Sequence, residues 1–344
     1  MTSKEKNKYL DAIRGCLIGG AAGDALGYAV EFITLDEIHR HYTRTGITAY
    51  NLDNELGKGI ISDDTQMTLF TADGILTGAK QNGISAPFES FIYRAYLDWL
   101  TTQTGKPNEN DVHSRLLNIK ELCVARAPGT TCIHALHSGN MGTIENPINN
   151  SKGCGSVMRV APIALYFKHN FDLMDGARVA AITHGHPLGY MPAAALVQII
   201  HRIVYGGCPF GDTLYNMVYE CCEKLKERFA GNKYLNELLN IIELAIDLSR
   251  NNESDPQNIA RIGQGWVADE ALGIALYCSL KYYDDFSAAI IAAVNHDGDS
   301  DSTGAITGNI VGAHIGYENI PAKWKQNLQL HDLILEIADD ISPI

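Results

Sequence analysis

The chain has 344 residues, 46% of them apolar, and a formal net charge of −13 at pH 7. That length allows a sizeable core in one large domain or two, and the acidic balance excludes nucleic-acid backbones and anionic membrane surfaces as general partners. An anionic ligand must therefore be held by local devices: helix N-termini, backbone N–H groups, metal, or a few Lys and Arg.

Met1 to Lys8 is polar and lysine-rich, with no signal-type apolar core behind it. No apolar run approaches the roughly 18 residues a membrane span needs, so the expectation is a soluble, cytoplasmic protein. Eight cysteines occur without a C-x-x-C pair, and they read as buried, reduced thiols of a reducing compartment.

The first predicted element is a helix over 9–26, with Leu10, Ile13, Leu17 and Ile18 as its apolar positions. It also carries Gly15, Gly19, Gly20 and Gly23 beside Ala21 and Ala22. So many small residues are costly in an isolated helix and point to close approach by another. Asp24 is a lone acid in that stretch. Glu31 follows between Val30 and Phe32, which suits either a partly buried carboxylate with a raised pKa or an exposed turn.

A glycine-punctuated loop, 51–61, leads to Ser62-Asp63-Asp64-Thr65, which opens a helix over 63–80. Helices follow over 87–100 and 111–125, with a loop at 101–110 between them. Residues 127–155 read as one long irregular loop, punctuated by Pro128, Gly129, Gly139, Gly142, Pro147, Gly153 and Gly155. Its end, Ser151-Lys152-Gly153-Cys154-Gly155-Ser156, places glycines before a helix start, where backbone N–H groups can meet a phosphate. It is neither a Walker loop nor G-x-G-x-x-G, and a flexible linker is the plain alternative.

Further helices are predicted over 156–167, 172–183, 190–205, 211–229, 233–250, 266–281, 284–294, 301–315 and 321–340. Thr183-His184-Gly185-His186-Pro187 reads as a loop that contacts ligand or caps a helix, because no third nitrogen or sulfur ligand accompanies the histidines. Trp266, at the start of an amphipathic stretch after a glycine turn, is expected in the core. With no period-2 strand and no repeat, the expected fold is all-α, a single compact multi-helix bundle over 1–344.

The densest chemistry lies at Asp297-Gly298-Asp299-Ser300-Asp301-Ser302-Thr303, where three carboxylates and three hydroxyls fall within seven residues at a helix start. One or two such acids would be ordinary N-caps. Three crowded acids repel unless a cation neutralises them, and an all-oxygen set suits Mg²⁺, Mn²⁺ or Ca²⁺. An EF-hand is excluded: Ser302 sits where the loop glycine is required, and Gly308 where the bidentate Glu belongs. A dehalogenase-type D-x-D nucleophile needs alternating strands and helices, which this chain lacks. The Ser62–Thr65 cluster is a second acidic helix start, and the two can meet around shared metals.

Taken together these stretches resemble the ADP-ribosylglycohydrolase family, nearly end to end. The resemblance rests on Gly19 to Gly27 with Glu31-Phe32, and on the two acidic motifs, Ser62-Asp63-Asp64-Thr65 and Gly298-Asp299-Ser300-Asp301-Ser302-Thr303. Arg126-Ala127-Pro128-Gly129, Gly153 to Arg159 and Thr183 to Pro187 are similar to the arginine-specific branch, and Gly265 to Leu272 to a bacterial pattern.

The resemblance implies two divalent cations, Mg²⁺ or Mn²⁺, with Ser62, Asp63, Asp64, Asp299, Asp301 and Ser302 as ligands. Asp297 would lie in the outer shell. Glu31, Asp63 and Asp301 would be catalytic, with Glu31 as general base or water-steering group. Gly129, Ser151, Lys152, Gly153, Cys154, Gly155, Ser156 and His184 would bind substrate, the 151–156 loop cradling a pyrophosphate. The implied reaction releases ADP-ribose from an acceptor, foremost arginine in a protein. Serine, nucleic-acid or small-molecule linkages, and a non-catalytic ADP-ribose-binding relative, stand as alternatives. Specificity is expected to vary in the 127–155 loop and the 206–212 turn.

Overall fold

The small-residue face of the first helix meets a partner of the same kind. The computed structural model describes residues 3–83, 88–105, 114–206 and 213–343. Sixteen α-helices form among them. They are α1 (Ser3–Gly27), α2 (Leu35–His41), α3 (Asp63–Asn82), α4 (Phe88–Thr104), α5 (Thr130–His137), α6 (Ala161–Tyr166), α7 (Leu173–Ala181) and α8 (Pro187–Tyr205). Then come α9 (Leu214–Arg228), α10 (Leu235–Leu248), α11 (Asp255–Ile262), α12 (Ala268–Lys281), α13 (Phe286–Val294), α14 (Ser300–Ile315), α15 (Ala322–Lys325) and α16 (His331–Ile341). The described residues contain no strand, only three isolated bridges, so the fold is all-α as expected.

α1 and α14 are the central pair and run antiparallel. Gly15, Gly19 and Gly23 face Gly312, Gly308 and Gly304, and a Cβ on any of the first three would overlap the carbonyl oxygen opposite. Side chains are absent on both sides of this seam, so the backbones themselves make contact. Antiparallel packing sets the C-terminal end of α1 against the N-terminus of α14, where Gly27 meets the Ser300 carbonyl. The α3 N-terminus joins them, and α8, α12 and α13 pack around the pair. The buried apolar residues form one contiguous cluster.

Several expected elements change. α2 and α11 were not expected, although each carries a capping box, Thr34 with Glu37 and Ser254 with Gln257. The helix expected over 111–125 is instead two 3-10 turns, Arg115–Asn118 and Lys120–Leu122, with Ile119 extended between them. Its first residues, 111–113, lie outside the described residues, as do 207–212 of the expected specificity turn. α4 runs on to Thr104, into the expected loop.

The long 127–155 loop contains α5. Cys132, Ala135 and Leu136 form its buried face, and Gly129, read as punctuation, is its N-cap. The helix expected from 156 begins at Ala161, after a 3-10 turn, Cys154–Ser156. The last expected helix breaks into α15 and α16 at Leu330, whose backbone is left-handed at φ 57°. Among the described cysteines Cys16, Cys132, Cys221 and Cys278 are buried, whereas Cys123 is exposed.

Candidate metal centre and cavity

Asp24 organises the meeting point. Its carboxylate, fully buried on α1, accepts from the Ser62 amide at 3.0 Å and the Thr65 amide at 3.1 Å, and from the Thr65 hydroxyl. It thereby satisfies free donors of the α3 N-terminus and pins that helix to α1. The Ser62 hydroxyl is the α3 N-cap, accepting from the Asp64 amide at 3.1 Å. At the other motif Asp299 caps α14, accepting from the Ser302 amide at 3.3 Å. Gly298, at φ 149°, packs its backbone on Gln264, whose carbonyl receives the Asp299 amide at 2.8 Å.

The two helix starts and the turn after α1 open onto one cavity of about 460 Å³, within the ~300–1,000 Å³ range of small-molecule sites. Five carboxylates line it: Glu31, Asp63, Asp64, Asp299 and Asp301. Glu31, Asp299 and Asp301 offer oxygens within 4.8 Å of one another. Burial, then Asp301, raises Glu31 to about 11, and burial, then Asp301, raises Asp24 to about 7. Asp63, Asp64 and Asp301 are pushed well above the ordinary carboxylate range, again first by burial. Glu31 Oε2 and Asp64 Oδ2 are buried without a hydrogen-bond partner among the described residues. No Lys or Arg lines the cavity among them. An all-oxygen set with uncompensated charge and orphaned acceptors fits hard divalent cations.

Beside the acids lie Gly129 at the start of α5, and Gly153, Cys154 and Gly155 at the 3-10 turn. The Gly129 amide donates to Asp63 Oδ2 at 3.3 Å. The Cys154 thiol donates to Asp299 Oδ2 at 2.6 Å, and burial and that carboxylate push the thiol well above its ordinary range. His184 lies beneath Gly153 and Gly155 and bonds Thr183, and burial, then the Arg159 guanidinium, hold its ring well below the usual pKa, hence neutral.

Three of the expected substrate residues do not line the cavity. Ser151 bonds Thr131, and the Ser156 hydroxyl donates to the Gly153 and Gly189 carbonyls. Lys152 turns away, its amine 3.5 Å from Asp269 and 3.8 Å from Glu237. These groups hold the 151–156 segment in place. The Ala268 amide donates to the Lys152 carbonyl at 2.8 Å, and the Cys154 amide to that of Trp266 at 3.2 Å.

Ser62 likewise stands behind the wall, as a cap. Asp297 is not at the cavity, because its carboxylate accepts from the Leu35 amide at 2.7 Å and so meets α2. Trp266 is not core: it is 41% exposed and stacks on Phe32, 69% exposed, with ring centroids 6.3 Å apart at the cavity lip. Sequence reading also missed Thr130, Thr131 and Cys132. Their only signal was the apolar spacing of α5.

The chain is similar to known proteins over nearly its whole length. A family model described as ADP-ribosylglycohydrolase matches residues 5–343. The ADP-ribosyl-[dinitrogen reductase] glycohydrolase of Rhodospirillum rubrum is 28% identical over 93% of this chain and 91% of its own. ADP-ribosylhydrolase ARH3 of Danio rerio is 24% identical over 97% and 89%, and ADP-ribosylarginine hydrolase Tri1 of Serratia proteamaculans 24% over 98% and 80%. A solved "ADP-ribosylglycohydrolase-related protein complex" superposes with a TM-score of 0.68 at 23% identity, over 97% of this chain and 98% of that one, which establishes the likeness of fold.

Proposed function

Since the chain belongs to the ADP-ribosylglycohydrolase family, we propose that it hydrolyses the N-glycosidic bond between ADP-ribose and an arginine guanidinium in a protein, so reversing mono-ADP-ribosylation. The observation that carries this reading is the convergence of five buried carboxylates on one cavity, beside a glycine turn and a helix start. A relative named for ADP-ribosyl-dinitrogen reductase favours a protein as the acceptor, and one named for ADP-ribosylarginine favours arginine.

Asp63, Asp64, Asp299, Asp301 and Ser302 would hold two divalent cations, Mg²⁺ or Mn²⁺, with Ser62 supporting them from its cap position. When bound, the cations supply charge that orients ribose hydroxyls and water and favours an oxocarbenium-like transition state. Glu31, whose buried Oε2 is unpartnered among the described residues, would be ionised once cation charge offsets the neighbouring carboxylates, and it then takes the proton from the attacking water. Its oxygens also lie beside those of Asp299 and Asp301, so it stands at the edge of the ligand set. The diphosphate lies between the Gly153–Gly155 turn and the first turn of α5, whose Thr130, Thr131 and Cys132 also line the cavity and whose helix start favours negative charge. Neutral His184 supports that turn from below without adding charge. The Phe32–Trp266 pair borders the acceptor side, where flat aromatic faces suit a planar cation.

The test is release of ADP-ribose from an arginine-ADP-ribosylated protein with Mg²⁺, with Mn²⁺ and with chelator, beside an Asp63→Ala/Asp301→Ala variant. Metal-dependent release that the variant lacks is the expected result. Binding of ADP-ribose without release would move the assignment to another linkage or to a binding role. Absence of both would overturn it.

A further inference from the structure

One donor in the cavity is softer than the oxygens around it. The Cys154 thiol and Asp299 Oδ2 are 2.6 Å apart, and both side chains line the cavity. Two independent observations there point to an ion. Asp64 is 2% exposed and Glu31 8%, and each aims a buried oxygen without a hydrogen-bond partner, among the described residues, at that same cavity.

A thiol–carboxylate contact holds one proton between sulfur and oxygen. A divalent cation can replace that proton once the two atoms separate to the spacing of two ligands of one ion. With bonds of about 2.3 Å to sulfur and about 2.0 Å to oxygen in a tetrahedral shell, that spacing is roughly 3.5 Å. Rotation of the Cys154 side chain supplies the opening, because the residue is only partly buried and lines the cavity as well as packing against the core.

We propose that Cys154 makes this centre a site for a thiophilic divalent cation, with Cys154 Sγ and Asp299 Oδ2 as two of its ligands. The proposal rests on the reading of the acidic cavity as a metal centre. The S–H bond breaks, its proton leaves to solvent, a metal–sulfur bond forms, and no oxidation state changes. An oxygen-only set suits the hard ions Mg²⁺ and Mn²⁺, and one thiolate adds affinity for Zn²⁺ and Cd²⁺ that the hard ions do not gain. Occupation by a soft ion displaces the hard one at Asp299, so the residue sets which cations inhibit.

Cd²⁺ is the probe, read by sulfur-to-metal charge-transfer absorption in the ultraviolet. Cys123 is exposed, Cys222 is partly exposed and Cys208 lies outside the described residues, so all three are replaced by serine in the full-length, metal-free parent. The parent is expected to develop the band and saturate with one sulfur–cadmium bond per chain. In the same background Cys154→Ser is expected to lose the band and bind Cd²⁺ on the order of tenfold more weakly. Its Mn²⁺ binding, followed by electron paramagnetic resonance, is expected to change by less than about threefold.

The same band in the variant, or no band in the parent, overturns the proposal. Loss of Mn²⁺ binding along with the band also overturns it, because Cys154 would then hold the centre together rather than select its ion. ADP-ribose release is not part of the readout. A protein that binds Cd²⁺ through Cys154 yet releases no ADP-ribose would overturn the proposed function and leave this inference standing.

Discussion

Glu31 lies between two apolar neighbours that part company: Val30 is 1% exposed and Phe32 69%. The turn after α1 carries the carboxylate inward with Val30 and leaves the ring at the cavity lip. Glu31 and Asp24 both hold a proton that the unfolded chain has already released above about pH 4. The native state therefore binds more protons than the unfolded state, and stability falls as pH rises. The window runs from the ordinary carboxylate range to about 7 for Asp24 and on to about 11 for Glu31. Calorimetry of the metal-free protein should show the melting temperature dropping by several degrees between roughly pH 5 and pH 8, and Mn²⁺ should restore it. A flat profile in chelator would mean that the chain neutralises these acids itself.

Asp301→Asn removes one like charge from that crowd. It should raise the melting temperature of the metal-free protein while lowering ADP-ribose release by about 100-fold or more. A variant less stable than its parent in chelator would show that repulsion is not what dominates there. At the lip, Phe32→Ala and Trp266→Ala should raise KM for the protein substrate by roughly tenfold each and leave kcat within about threefold, as expected of groups that bind without touching the reacting atoms. Steady-state kinetics with a protein-linked substrate separates the two parameters.

At the scale of elements the α1–α14 seam decides most. Gly308→Val would drive a branched side chain into the Gly19 carbonyl, where backbone has no room to yield. A loss beyond about 3 kcal/mol is expected, seen as a melting temperature lower by several degrees or as insoluble protein. Gly57→Ala is the contrast, because nothing lies within 4 Å of its Cβ and only the φ of 62° is unfavourable, at about 1 kcal/mol. The glycine spacing of α1 announced a close partner, and the acidic starts of α3 and α14 were visible as clusters of caps. α5 was hidden because Pro128 and Gly129 read as loop, although glycine also serves as an N-cap. The break at Leu330 was hidden for the opposite reason. Its apolar side chain continues a helical pattern while its backbone turns left-handed.

For the whole molecule, cation binding is a mass-action term on folding. Mn²⁺ at a hundred times its Kd should add about 2.7 kcal/mol, read as a melting shift that chelator reverses. With a net charge of −13, occupancy should weaken less with added salt for a buried centre than for surface ions. No helix among the described residues is long and apolar enough to cross a membrane.

By itself the sequence determined the helical class, the small-residue helix, the two acidic helix starts and the family likeness. All of these are carried by contacts within a turn or two of helix, or by short motifs. Only the tertiary structure decided that Asp24 pins α3, that Lys152 faces Asp269 instead of the cavity, that Phe32 and Trp266 share a lip, and that Cys154 lies against Asp299. Each of these joins segments separated by tens to hundreds of residues. Such neighbours are set by the antiparallel docking of α1 on α14, and no local periodicity encodes which side chains that docking brings together.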